Sequence, residues 1–390
     1  RVVPRFKDLW EQLGIENDDF IRTTEKRHTE VVAKVLEKLK ANGAIYLGKY
    51  KGWYCTPCET FWTESQLVEG NCPQCKRETQ ELEEDNYFFK MSAYQDWLVG
   101  YIKSHENFIY PKSKEKEVLS FLKEPLEDLC ISRPKERLSW GIPLPFDEGH
   151  VLYVWFDALL NYVSAIGYLK DDKSFQACWP AKIHFMAKDI LRHHAIYWPV
   201  LLHALELPMP DCILAHGFWT MEGEKMSKSV GNIADPHDIM ENYGNDVLRY
   251  FLLRAVTLGS DGAYADEYVI ERFNTDLAND LGNLVHRSFS MLEKYTGGVL
   301  PENKIHFSNT AILTAAKELA QNLEEAMCLK RDPRKALDFI WKIISDANRM
   351  IEETKPWALA KDDSKREELE GFLYFLLETL RVVGVSLKLF

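Results

Sequence analysis

The sequence predicts an α/β protein in which a parallel sheet is followed by an all-α bundle, and three observations predict it. Between residues 140 and 217 short apolar strands alternate with helical patterns, which implies right-handed crossovers in a parallel sheet. From Asp266 onward the pattern is almost wholly helical. Ahead of both lies a loop-rich stretch, residues 43–138, that carries clustered cysteines and reads as an insertion.

Four segments are expected in chain order. Residues 1–42 hold a helix over 24–39, with Val31, Val32, Val35, Leu36 and Leu39 at helical spacing and Asn42-Gly43 as its stop. Residues 43–138 open with a hairpin strand over 45–50 and then lose periodicity. Residues 139–262 give strands over 150–156, 183–187 and 212–217, helices over 157–168 and 190–205, and a last helix from Asp235-Pro236 to about Leu253, with Asp as N-cap and Pro in the first turn. Residues 263–390 give four amphipathic segments, near 270–296, 309–329, 333–353 and 363–389, joined by short polar links.

With 390 residues and 46% hydrophobic content the chain is long enough for two or three cores. It has no apolar run long enough to span a bilayer and no signal-peptide pattern, so a cytoplasmic protein with no membrane partner is expected. A net charge of −12 argues against a general nucleic-acid coat but leaves room for an enzyme that reads an unpaired RNA loop by stacking and base-edge hydrogen bonds. The chain opens on Arg1 and closes on Leu389-Phe390 without a polar tail, so both ends are expected to be cuts within a longer protein. Cys130, Cys178, Cys212 and Cys328 are scattered among apolar neighbours and are expected to be buried thiols.

The other four cysteines form Cys55-Thr-Pro-Cys58 and Cys72-Pro-Gln-Cys75, two C-x2-C turns separated by thirteen residues. Such turns can place four thiolates tetrahedrally around a structural zinc. A pair of disulfides or a redox dithiol is the alternative; the spacing and a reducing compartment favour zinc. Few apolar residues lie nearby, so metal would take the place of a core there.

Residues 223–232 put Lys225 and Lys228, with Ser227 and Ser229, in a polar loop bracketed by Gly223 and Gly231. Lone lysines in loops are usually just solvated. Here the loop follows a strand end at His216-Gly217 and precedes a capped helix, at the edge of a parallel sheet where ligands bind, so two ammonium groups can meet a phosphate. Asp189, at another strand end, suits a ribose hydroxyl or a helix N-cap equally. Rings at 153–156 and 194–198 gather at the same end of the sheet, where core packing is the plainer reading. In the bundle, Asn283 and Arg287 lie one helical turn apart, and Pro356-Trp357 breaks a helix and leaves a large ring near the surface.

Lys225-Met-Ser-Lys-Ser229 matches the second signature of class I aminoacyl-tRNA synthetases, and its surroundings resemble the methionyl family. The likeness extends from Phe6 to near Phe390 and includes Ile21-Arg22-Thr23-Thr24-Glu25, the cysteine turns, Ser139-Trp140-Gly141-Ile142-Pro143 and the Pro-Trp pair. The family's first signature, His-x-Gly-His, is absent from these residues. The resemblance implies that 1–42 is the tail of an N-terminal catalytic half, 43–138 a connective insertion with a zinc knuckle, 139–262 the second half of a Rossmann-like domain, and 263–390 an anticodon-binding bundle. It implies methionine activation with ATP and Mg, then transfer to tRNA(Met). Lys225 and Lys228 would be catalytic and, with Ser227, Ser229, Asp189, His216 and Gly217, would hold ATP. Trp155, Ala158, Leu159, Tyr162, Ile190, His194, Tyr197 and Trp198 would line a thioether pocket, with a tyrosine hydroxyl aimed at sulfur; Leu159 and Ala187 stand where relatives carry Pro and Gly. Asn283, Arg287 and Trp357 would read the anticodon. The partners implied are methionine, tRNA(Met) and, if the chain is not simply truncated, a complementing N-terminal half. A non-catalytic RNA-binding paralogue is the competing expectation; the two loop lysines, of no use to a pure binder, argue against it.

Overall fold

The computed structural model describes residues 2–56, 60–62, 64, 67–73, 75–221, 223–226, 233–302 and 309–390. Packing divides the chain into two units, residues 17–215 and residues 1–16 with 216–390. This division cuts across the four segments read from the sequence, because the helix Val3–Gln12 joins the second unit: Arg249 donates to the Leu13 carbonyl at 2.9 Å and His237 pairs with the Gln12 side chain at 3.1 Å.

In the unit 17–215 the helix Lys26–Ala41 buries Val31, Val32, Val35, Leu36 and Leu39, the stripe its periodicity marks. Next comes a long antiparallel hairpin, Ile45–Cys55 against Gln80–Phe89, in register from Ile45↔Phe89 to Tyr54↔Gln80. The hairpin carries the cysteine turns at its far end and is flanked by Thr60–Trp62 and Leu129–Cys130.

The sheet differs from expectation at one strand. Asp147–Leu152 lies in an antiparallel sheet between Ser132–Pro134 and Pro143–Leu144. Its place beside Ile213–His216 is taken by Ile109–Tyr110, paired in parallel through Ile213↔Ile109 and Leu214↔Tyr110, and His184–Ala187 lies on the other side. Chain reversal at residues 145–146 brings Pro143–Leu144 back against Asp147–Leu152, a local pairing that closes less chain than a crossover. The helix expected over 157–168 is two short ones, Val154–Leu159 and Asn161–Ser164. That expected over 190–205 is a 3₁₀ turn Lys188–Ile190, a π segment His193–Tyr197 and an α-helix Trp198–Ala204. Pro199 explains the second break: it has no N–H to donate and its ring crowds the preceding turn, so the chain widens just before it.

In the other unit Pro236–Tyr243 and Asn245–Arg254 replace one expected helix, parted by Gly244 at φ 90°, a conformation that favours glycine. Asp235 caps the first through the His237 amide at 2.9 Å. The bundle follows as Asp266–Arg272, Phe273–Gly282 (π) and Asn283–Thr296, then Thr310–Glu324, Pro333–Thr354 and Arg366–Leu387, around Leu284, Leu337, Ile340, Ile344, Phe372 and Leu376. Asp276, 5% exposed, ties the helix Asn245–Arg254 to this bundle: Tyr250 donates to its Oδ2 at 2.7 Å, Arg272 at 3.4 Å, and Arg254 lies 3.6 Å away. Of the scattered cysteines expected to be buried, Cys212 is; Cys130 is half-buried, and Cys178 and Cys328 are exposed, each at the end of a helical segment where the apolar stripe has run out.

Gly217 is set by close approach. A Cβ there would lie 2.1 Å from the Ser260 carbonyl oxygen, because residues 260–262 run against it and Asp261 accepts from the Phe218 amide at 2.9 Å. Gly217→Ala should therefore destabilise the protein by about 1–3 kcal/mol, the usual cost of overpacking; urea denaturation measures this, and an unchanged midpoint would contradict the contact.

Candidate active site

The unit 17–215 gathers the rings. Trp155, on the helix Val154–Leu159, stacks on His193 at 3.6 Å and 22°. His193 meets the edge of Tyr197 at 5.1 Å. Tyr162, on the next short helix, lies 4.1 Å from the His184 ring and 5.8 Å from Trp198. Leu159 and Trp198 are buried and packed in the same core, while Ala158 and Ile190 are half-buried. Ala187 has φ −76° and ψ 154°, an ordinary extended conformation that asks for no glycine.

Two hydrogen-bond chains fix the polarity of this cluster. His194 Nδ1 is 3.0 Å from the Ile190 carbonyl, which can only accept, so Nδ1 carries the proton. Burial lowers the His194 pKa, so the ring is neutral and Nε2 is a lone pair. The Tyr162 hydroxyl, 2.7 Å away, must then donate to it. Burial also raises the Tyr162 pKa to about 12, which keeps that proton in place. The hydroxyl proton is thus directed at His194. In the second chain Trp198 donates its indole N–H to His184 Nε2 at 3.2 Å.

Asp189 lies inside the turn Lys188–Ile190 and is exposed, with Ala187 at the N-cap of that turn. Lys225 ends the strand Glu224–Lys225, paired to Thr220 of Trp219–Met221. Ser227, Lys228 and Ser229 lie outside the described residues. His216 Nδ1 bonds the Gly217 carbonyl at 2.7 Å.

Cys55, Cys72 and Cys75 converge, their sulfurs all within 4.8 Å of one another; Cys58 lies outside the described residues. Cys55 and Cys75 sulfurs are 3.4 Å apart, far beyond a disulfide's ~2.05 Å. Thiolates held ~2.3 Å from one tetrahedral zinc would be about 3.8 Å apart, so the donor set fits that ion.

In the bundle Asn283 is exposed and Trp357 is 41% exposed. Arg287 donates to Glu352 at 2.6 Å, at the last turn of Pro333–Thr354. Lys355, at φ 51°, and Pro356 then turn the chain to Trp357. His184, His193 and Glu352 had no weight in the sequence. Alternation offered a signal for the first, since His184 and Met186 face inward on a strand whose Phe185 faces out.

The family model for tRNA synthetases class I (M) matches residues 1–85 and 77–289. The chain belongs to the class I methionyl-tRNA synthetase family. It is similar to the methionine–tRNA ligases of Caldanaerobacter subterraneus, 49% identical over all of this chain and 61% of that protein, and Bacillus subtilis, 45% identical over all of this chain and 60% of that one. The chain thus spans about 60% of the length of these relatives. Among solved structures, Mycobacterium tuberculosis methionyl-tRNA synthetase in complex with methionyl-adenylate superposes with a TM-score of 0.91 at 40% identity, over 98% of this chain and 76% of that one. Among the described residues no helix is long and apolar enough to cross a membrane.

The neutral histidines make a pH prediction. Burial holds His28 and His193 down to about 4 and His184 to about 3, so the unfolded chain binds more protons below pH 6.5. Their contribution is complete above that pH and is lost as pH falls towards 4, at about 1.4 kcal/mol per pH unit for each ring at full slope. Asp157, raised by burial to about 7, acts in the opposite sense, one group against three. Thermal melting from pH 7 to 5 should show a falling Tm; a flat profile would mean the rings are charged or solvated in the fold.

Proposed function

We propose that this chain carries the methionine pocket, phosphate loop and anticodon surface of a methionine–tRNA ligase that activates methionine with ATP and Mg and transfers it to tRNA(Met) in the cytoplasm. The observation that carries the reading is the ring cluster around the Tyr162–His194 hydrogen bond. Its walls are aromatic and aliphatic, suited to a polarisable thioether, and its polar couples, Tyr162–His194 and Trp198–His184, each have a fixed donor. A thioether sulfur would meet polarisable ring faces such as that of Trp155 at little desolvation cost, while a charged side chain would lose its hydration there. Leu159 and Ile190 complete the wall, with Ala158 leaving room.

Carried from the sequence, Lys225 and Lys228 with Ser227 and Ser229 would bind the triphosphate and Asp189 the ribose. Because donors aimed at developing charge act in the transition state, Lys228→Ala in the full-length protein should lower methionine-dependent ATP–pyrophosphate exchange by about 10²–10³ while methionine binding holds. Full exchange in that variant would remove Lys228 from the chemistry, and absence of exchange in the wild-type protein would refute the function. The cysteines would hold zinc through Cys55, Cys72, Cys75 and Cys58, where the ion closes the turns at the end of the hairpin and supplies no chemistry.

Trp357 would stack on an anticodon base while Asn283 and Arg287 bond its edge. Half-exposure of the Trp357 ring and the position of Arg287 at the end of Pro333–Thr354 support this. Trp357→Ala should weaken binding of a CAU stem-loop about ten-fold, the worth of one stacked base, with little change in Tm. Arg287→Ala should reduce discrimination against a loop with a changed first base. A Trp357→Ala protein that melts early and binds every loop alike would show that the ring only packs.

A further inference from the structure

We propose that His28 is a positioning residue for the thioether pocket, holding through Ser164 the one-turn helix that carries Tyr162; this rests on the methionine-binding reading above. His28 stands in the first turn of Lys26–Ala41, fully buried, with Nδ1 2.8 Å from Ser164 Oγ. Ser164 in turn donates to the Asn161 carbonyl at 3.4 Å within its own helix. Its proton is therefore spent, and His28 must supply the proton of the bond between them from Nδ1. That leaves Nε2 as a lone pair, buried without a hydrogen-bond partner.

Packing alone does not account for such a ring. A leucine would fill similar space without stranding a buried acceptor, which is the costly half of any hydrogen-bond exchange. What the ring supplies is direction. Asn161–Ser164 is a single turn, too short to hold its own orientation by internal hydrogen bonds. Yet Tyr162, two residues before Ser164, has to place its hydroxyl 2.7 Å from His194 Nε2, a contact that weakens steeply with misalignment. The bond from His28 fixes the end of that turn from a sixteen-residue helix, so the line of restraint runs from His28 through Ser164 and the turn to Tyr162 and His194.

The test is calorimetric titration of methionine and, separately, ATP into the full-length protein, with melting of each variant. His28→Leu should weaken methionine about five- to ten-fold, the worth of one buried hydrogen bond, while ATP affinity is unchanged and Tm holds or rises. His28→Asn, whose amide donates from near the Nδ1 position, should restore methionine affinity. Ser164→Ala should weaken methionine to a like extent, and adding it to His28→Leu should cost nothing more. Wild-type methionine affinity in His28→Leu, or a loss that tracks Tm and is not restored by asparagine, would overturn the proposal. A wild-type protein that binds no methionine at all would instead overturn the functional reading, and this inference with it.

Discussion

The Ile190 carbonyl decides the chemistry of the pocket. By taking the Nδ1 proton of His194 it leaves Nε2 as the acceptor, and that choice makes Tyr162 a donor and orients its ring against His184 and Trp198. The Ile190 carbonyl ends the 3₁₀ turn Lys188–Ile190, just ahead of the π segment His193–Tyr197. Burial enforces the same pattern on His28, His184 and His193, which all stay neutral where a solvated ring would begin to charge.

The other unit relies on close backbone approach and one buried acid. Residues 260–262 fit against Gly217 only because no Cβ stands there, which fixes the path into Trp219–Met221 and on to Lys225. Downstream, Asp276 joins Tyr250 and two arginines, so the helix Asn245–Arg254 and the π segment that leads into Asn283 share one polar centre. An acid so buried is tolerable because several donors converge on it. The Arg254–Asp338 ion pair and the packing of Tyr250 on Trp341 join the same helix to the bundle beside it.

Much of this was legible. The stripe of Val31, Val32, Val35, Leu36 and Leu39, the Asp235-Pro236 start and the bundle helices follow the 3.6-residue period closely. The strand Gln80–Phe89 was not, because Glu81, Glu83, Glu84 and Asp85 break the apolar alternation on a hairpin that faces water. Ile109–Tyr110 is too short to carry a period at all, so the parallel partner of Ile213–His216 went unread and Asp147–Leu152 was put in its place. Motif spacing located the cysteine turns and rings, but hydrogen-bond direction depends on which carbonyl each imidazole meets, and that is set only by the folded chain.

The central claim is that His194 is a neutral imidazole protonated at Nδ1. Long-range proton–nitrogen correlation on histidine-labelled protein at pH 7 tests it most directly, with Tyr162→Phe used to assign the ring. The account predicts a protonated, pyrrole-type Nδ1 and an unprotonated Nε2 that shifts when the tyrosine hydroxyl is removed. A proton on Nε2, or an imidazolium at that pH, would contradict it.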